Sequence, residues 1–226
     1  MDAGVALEEV FHLPELDVHS QAVLARAGGL GVDVITVTPP VLESIAETRS
    51  PQGIVAVARA LPVRPTESVL RPGVDMVVAL DRIADPGNLG TIVRTAEAAG
   101  ASGVVLVGQS VDPWGPKVVR ASAGSAFRLP IIHVSAPQLA SAARSAGLQI
   151  LAADVVSGVS PWAAVAERGS GLLWLFGSES HGLSGDLLAL ADTRVRIPMA
   201  GAVESINLAA SVAVCLFSQA RECMTD

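Results

Sequence analysis

From residue 75 onward the chain repeats one pattern: a short, largely unbroken apolar run, a loop rich in Asp, Pro, Gly or Ser, and a stretch of helix length. The runs fall at residues 76–80, 104–107, 131–134, 149–153, 172–176 and 195–197. A strand wet on one side alternates polar and apolar residues; Met-Val-Val-Ala-Leu at 76–80 does not, so it predicts a strand covered on both faces. Such strands, separated by helices, assemble into a parallel sheet with right-handed crossovers and helices on either side. The predicted helices are 89–99, capped by Asn88 and closed by Gly100, then 117–122, 138–145, 162–167 and a last one opening after Asn207. The expected fold class is α/β with a parallel sheet.

The first 66 residues read as a smaller α/β unit. Strands are predicted at 8–13, 32–37 and 54–60, and helices at 20–27, closed by Gly28-Gly29, and from Pro39-Pro40 through Thr48. Pro62, Arg64 and Pro65 make a linker, giving expected domains of 1–66 and 67–226. The chain enters its first strand almost at once after Met1, so a missing N-terminal piece is expected.

Composition narrows the class. Half of the 226 residues are hydrophobic, enough for a sizeable core, yet no apolar run reaches the roughly 18 residues of a membrane span. The longest candidate, 206–217, is interrupted by Asn207 and Ser211. There is no secretory leader pattern, and Cys215 and Cys223 sit in one terminal segment, which points to a reduced, cytoplasmic protein. A net charge of -7 is no polyanion-binding signature, so any nucleic-acid contact must come from a local patch. Lys117 is the sole lysine among 15 basic residues, leaving 14 arginines, which reads as GC-rich coding. With 3% aromatic residues and no tyrosine, a base-stacking platform is not expected.

Several chemistries are absent. Neither a G-x-G-x-x-G turn nor a phosphate-binding G-x-x-x-x-G-K-[ST] loop occurs, nor a G-x-S-x-G nucleophile elbow. His12, His19, His133 and His181 are scattered and make no metal spacing with the cysteines. Ser178, Glu179 and His181 lie too close in one loop to form a nucleophile, base and orienter. What remains is three polar junctions at strand ends and helix starts: Asp85-Pro86-Gly87-Asn88 leading toward Arg94, the loop Gly177 to Gly182, and Pro198-Met199-Ala200-Gly201 followed by Glu204-Ser205-Ile206-Asn207. Carboxyl ends of parallel strands are where α/β folds bind small molecules.

These junctions carry a resemblance. Asn88-x-Gly90-x-x-x-Arg94-Thr95-Ala96, then Gly177-Ser178-Glu179-Ser180-His181-Gly182, then Pro198-Met199-x-Gly201-x-x-Glu204-Ser205-Ile206-Asn207-Leu208 resemble, in order, the three motifs of the SpoU (TrmH-type) RNA ribose 2′-O-methyltransferases, with Ile206 where leucine is more usual. The resemblance covers about residues 75–222. The strand after Pro51-Gln52-Gly53 is similar to the end of the ribosomal-protein-like N-terminal domain of rRNA-directed members.

The resemblance implies the parallel-sheet SPOUT fold with a C-terminal deep trefoil knot, a homodimer using the last helix, and S-adenosylmethionine as cofactor. Gly177 and Gly182 would let backbone approach that cofactor, while Ile197, Met199, Ile206 and Leu208 enclose its adenine. The same resemblance makes Asn88, Arg94, Glu179, Ser205 and Asn207 the catalytic set, with Glu179 expected to pair with Arg94 or support its loop. Arg82, Lys117, Arg120 and Arg128 are expected to meet RNA phosphates, or to be ordinary surface. Ribosomal RNA is the expected substrate, transfer RNA the alternative. A non-catalytic RNA-binding scaffold is disfavoured by the intact Arg94, Glu179 and Asn207. No metal or membrane partner is expected.

Overall fold

The structure, a computed structural model, describes residues 4–46, 48, 51–59, 61–166 and 169–223. It divides into two compact units, Met1–Pro62 and Val63–Asp226.

In the first unit β1 (Leu7–His12) lies between β2 (Asp33–Thr36), to which it is parallel, and β3 (Ile54–Ala58), to which it is antiparallel. Helices α1 (Val18–Gly29) and α2 (Pro39–Ala46) complete it. The sequence places α1 at 20–27, closed by Gly28-Gly29; the helix is longer at both ends. Asp17 starts it early because its carboxylate accepts the Ser20 N–H at 2.9 Å, and that bond holds the carboxyl below its ordinary pKa. Both glycines stay helical, and the chain turns away at Leu30 and Gly31, whose φ of 78° suits a residue without Cβ. Ala60, the expected end of β3, lies outside the described residues. The core is thin: Val10, Ala27 and Leu42 are its best-buried side chains.

Among its described residues the second unit holds six parallel strands: β4 (Met76–Asp81), β5 (Val104–Val107), β6 (Ile131–Val134), β7 (Gln149–Ala153), β8 (Leu172–Gly177) and β9 (Thr193–Val195). Their order across the sheet is β6-β5-β4-β8-β7-β9. The helices are α3 (Pro86–Ala98), α4 (Pro116–Ala121), α5 (Ala136–Ala146), α6 (Pro161–Ala166), α7 (Gly185–Leu188) and α8 (Leu208–Cys223). Because successive strand residues point to opposite faces, the strands other than β9 feed two cores. Val78, Leu80, Leu106, Trp174 and Phe176 pack with Leu89, Ile92 and Val93 of α3 and Val212 and Leu216 of α8. Val77, Ala79, Val105, Leu173 and Leu175 pack with Leu139 and Ala143 of α5 and Leu187 of α7. Burying one such aliphatic side chain contributes about 1.5–3 kcal/mol, so the double coverage is what fixes the sheet.

The deepest polar contact serves this core. The buried Trp174 indole N–H donates to Gln219 Oε1 at 2.9 Å, and Gln219 Nε2 donates to the Asp75 carbonyl at 2.8 Å. Both buried groups are thereby satisfied, which removes the penalty of bringing an indole N–H and an amide inside.

Two expectations change at the sheet's carboxyl edge. The last strand is Thr193–Val195, not 195–197, and Ile197 lies beyond it in an irregular segment. As the last strand of the sheet it is set by its three pairings with β7 and by a bridge to Val159 on its other side, rather than by an apolar run. Helix α3 starts at Pro86 with Asp85, not Asn88, as its cap; the cause is the fixed φ of proline, which favours the first helical position. Glu167, the expected end of α6, lies outside the described residues.

Strand order reverses between β4 and β8. β5 and β6 build outward from one side, β7 and β9 from the other. Crevices at such reversals, outside the carboxyl ends of the strands, are the ligand positions of open α/β sheets.

Candidate functional site

The site begins with the cap of α3. Asp85 Oδ1 accepts the Asn88 N–H at 2.7 Å, and this bond, with Lys117 nearby (Nζ to Oδ2 3.7 Å), holds the Asp85 carboxyl below its ordinary range. Since Asp85 does the capping, the Asn88 amide is free. Its Nδ2 donates to Glu179 Oε1, in the loop after β8, and its Oδ1 accepts from Asn207 Nδ2 at 3.1 Å. Asn207 Oδ1 in turn accepts the N–H groups of Ala209 (2.9 Å) and Ala210 (3.3 Å), capping α8.

The direction of this chain is dictated. Backbone N–H groups only donate, so Asn207 must present its oxygen to them and its amide nitrogen to Asn88. Asn88 must then accept on its oxygen and donate to a carboxylate, which only accepts. The first turn of α3, the loop after β8 and the segment before α8 are joined this way, Glu179 and Asn207 lying 91 and 119 residues from Asn88 along the chain. Glu179 is therefore bonded to Asn88, not to Arg94.

Beside this chain lies a cavity of about 490 Å³. Its walls come from the loops after β7 and β8, the segment after β9 and the start of α8. Gly177, Gly182, Ile197, Met199, Ile206 and Leu208 all line it, as do Glu179 and Ser205. Gly177 permits a chain crossing: a Cβ there would overlap the backbone of Gly182 and Leu183. Ser178 Oγ is buried at the cavity wall and is without a hydrogen-bond partner. A second depression, about 420 Å³ at the amino ends of the strands, is edged by Gly73, Gly147, Gly169 and Gly171 with Asp75 and Ser170 among them, and holds none of the motif residues.

Sequence reasoning missed part of the wall. Asp154, Val155 and Val156 after β7, and Arg196 after β9, line the cavity without belonging to any motif. It also missed Asp81, the last residue of β4, only 3% exposed, whose carboxylate accepts the Ser184 N–H at 2.8 Å. A carboxylate closing an otherwise apolar strand was the available signal.

The expected cationic contacts divide. Arg128 forks onto Glu97, with Nε to Oε1 at 2.5 Å and Nη2 to Oε2 at 2.7 Å. The Arg128 hydrogen bond holds the Glu97 carboxyl below its ordinary range, and the partner raises Arg128 in return. Arg82 is bonded to Asp81 and to the Gly182 carbonyl. Arg94 and Arg120 are exposed and have no hydrogen-bond or ion-pair partner among the described residues. Arg94 lies on α3 outside the cavity wall. Gly90, between Asn88 and Arg94, serves packing: a Cβ there would lie 2.5 Å from Ala121 Cβ and 2.7 Å from the Val118 carbonyl oxygen, so only glycine lets α3 and α4 approach this closely.

The Glu97–Arg128 pair has a pH signature. A carboxyl whose folded pKa is depressed contributes stability above its unfolded pKa and loses it as the pH falls through the folded value. Glu97→Gln is expected to melt below wild type at pH 7, and the gap in Tm is expected to close as the pH drops through the ordinary carboxylate range; scanning calorimetry across that range measures it. A gap that persists unchanged at pH 3 contradicts the pairing.

Among the described residues no group of three His, Cys, Asp or Glu side chains is arranged to hold a metal ion. No helix among them is long and apolar enough to cross a membrane.

Comparison with known proteins follows the same division of the chain. Residues 75–217 match the SpoU rRNA Methylase family, and residues 1–63 match the RNA 2′-O ribose methyltransferase substrate binding domain. An uncharacterised tRNA/rRNA methyltransferase of Synechocystis is 38% identical over 187 residues, 82% of this chain and 66% of that protein. The 23S rRNA (adenosine(1067)-2′-O)-methyltransferase of Streptomyces laurentii is 31% identical over 97% of this chain and 80% of its own length. The crystal structure of an AdoMet-bound rRNA methyltransferase from Sinorhizobium meliloti superposes with a TM-score of 0.86 at 33% identity, covering 100% of this chain and 83% of that one. The chain belongs to the SpoU rRNA methylase family.

Proposed function

We propose that this chain is an S-adenosylmethionine-dependent methyltransferase acting on a ribose 2′-hydroxyl of ribosomal RNA. The observation that carries the reading is Glu179: it lines the cavity and is also the end of the Asn88–Asn207 polar chain. The cavity suits the cofactor. Its volume is in the range of small-molecule sites, Gly177 and Gly182 expose backbone, and Ile197, Met199, Ile206 and Leu208 offer apolar surface to an adenine. The carboxylates of Glu179 and Glu204 suit a cationic ligand, and the orphaned Ser178 Oγ marks a polar group in want of a partner. S-adenosylmethionine supplies an electrophilic methyl group on a positively charged sulfur.

The residues supply position and charge. A ribose hydroxyl is a weak nucleophile, so it must be aligned and relieved of its proton. Asn88, locked by Glu179 and Asn207, orients the ribose or the arginine that meets it. Arg94, exposed and unpaired, anchors a phosphate beside the target ribose and balances charge growing on the hydroxyl oxygen. Its guanidinium stays protonated at neutral pH, so the proton goes to a phosphate oxygen or water, not to Arg94. Ser205 and Asn207 hold the third loop at the head of α8. Lys117 and Arg120 extend the cationic path.

The ribosomal assignment draws on the substrate-binding match at 1–63 and on the 23S rRNA named for the Streptomyces laurentii relative. A cytoplasmic location goes with that substrate. A homodimer is part of the proposal: Trp162 of α6 and Phe217 of α8, on helices that pack together, expose 49% and 44% of their surface and are available to a second copy.

The test is transfer of labelled methyl from S-adenosylmethionine to purified 23S rRNA and to total tRNA, with nuclease mapping of the product. The expected result is one ribose-methylated nucleotide in rRNA. A methylated base, or transfer to tRNA alone, overturns the assignment.

A further inference from the structure

The loop after β8 forms much of the cavity wall, and two of its backbone groups are tied down from the end of β4. The Gly182 carbonyl accepts from Arg82 Nη2 at 3.3 Å, and the Ser184 N–H donates to Asp81 Oδ2 at 2.8 Å. The two pins are themselves joined, with Arg82 Nε donating to Asp81 Oδ1 at 3.2 Å. Asp81 is therefore a buried carboxylate that receives an arginine N–H on one oxygen and a backbone N–H on the other.

Arg82 holds this position in an unusual way. Its φ is 53°, and among the described residues only it and Ala123 combine a side chain with positive φ. That region favours glycine or asparagine. An arginine there must recover the strain through what its side chain does. Room for the side chain is made by Gly108 at the end of β5: a Cβ on Gly108 would lie 2.9 Å from Arg82 Cγ and 3.6 Å from Asp81 Oδ1. The guanidinium is thus drawn across the carboxyl end of the sheet, over the strand-order reversal, to the loop that carries Gly182.

We infer that Arg82 is a positioning residue for the cofactor loop: anchored on Asp81, it holds the Gly182–Ser184 turn against the cavity and so sets cofactor affinity, rather than contacting RNA phosphate. The inference rests on the S-adenosylmethionine reading above for its binding arm, but its structural arm does not.

The decisive variant is Arg82→Gly. Glycine accepts the left-handed backbone but leaves the buried Asp81 without its arginine, so Tm is expected to fall below wild type; a single cooperative melt and an unchanged circular-dichroism spectrum show that the variant still folds. Amide hydrogen exchange of residues 182–184, measured without cofactor, is expected to quicken as the loop loses its pin. Calorimetry is expected to show S-adenosylmethionine binding about tenfold weaker, the scale of losing charge-assisted hydrogen bonds, with affinity for 23S rRNA unchanged. Arg82→Lys separates the two roles further. Lysine keeps the charge a phosphate needs but lacks the fork that reaches Asp81 and Gly182 together, so it is expected to lose cofactor affinity as the glycine variant does. Unchanged exchange at 182–184 with unchanged cofactor affinity overturns the inference. So does weakened rRNA binding, rescued by lysine, with cofactor affinity intact, since that pattern marks a phosphate contact. A wild-type chain that binds no S-adenosylmethionine sinks the functional reading instead, and leaves the exchange experiment standing.

Discussion

Arg94→Ala is expected to lower single-turnover methyl transfer by about 10²–10³, the scale of losing one charge-stabilising donor in a catalytic site, while Tm and S-adenosylmethionine affinity stay near wild type. The separation follows from where the residue sits. Arg94 is exposed on α3, has no partner among the described residues, and does not line the cavity. Truncating an unpaired surface side chain changes stability by no more than about 0.5 kcal/mol. Arg94→Lys retains charge but not the planar fork and is expected to recover only part of the rate. Full activity in the alanine variant would remove Arg94 from the mechanism; a matching loss of cofactor affinity would move it into the cavity's support.

Gly177→Ala is expected to damage both the catalytic unit's packing and its cavity with a single methyl. The added Cβ meets backbone atoms of Gly182 and Leu183, and backbone cannot rotate aside as a flexible side chain does. Overpacking of this kind costs about 3 kcal/mol, which for a unit of this size lowers Tm by roughly 10 °C. The alternative to that cost is displacement of the 182–183 backbone, which is cavity wall, so cofactor binding falls too. Gly185→Ala is the control: a Cβ there meets nothing within 4 Å, in the same region of the chain. Thermal melts and calorimetry on the two variants give the comparison. Equal Tm values for both would mean that the crossing at Gly177 is looser than its geometry states.

The sheet was legible because its strands are buried twice. Met76 to Leu80 cannot alternate when Val77 and Val78 face different apolar layers, so the run itself announces parallel neighbours. The cavity residues were legible through the motif, two of whose glycines the backbone requires, Gly177 for the close crossing and Gly182 for its φ of 63°. What escaped was whatever depends on partners far along the chain. Asp85 and Asn88 are equally good caps by composition, and only Pro86 decides between them. Arg82, Lys117, Arg120 and Arg128 look alike as charges; that Arg128 meets Glu97, 31 residues away, and Arg82 meets Gly182, 100 residues away, is a property of folding, not of spacing. The wall at Asp154 to Val156 comes from a loop with no special composition.

The amide chain from Glu179 through Asn88 to Asn207 also limits how such an enzyme can be altered by recombination. Each of three segments, the first turn of α3, the loop after β8 and the residues before α8, brings one member, and each member's donor or acceptor face is fixed by the next. A segment transplanted singly with a different residue at its member position would strand a donor against a donor or leave the carboxylate unanswered. The unit of exchange is the set of three segments, scattered through 120 residues of sequence (88 to 207 inclusive) yet acting as one hydrogen-bonded group.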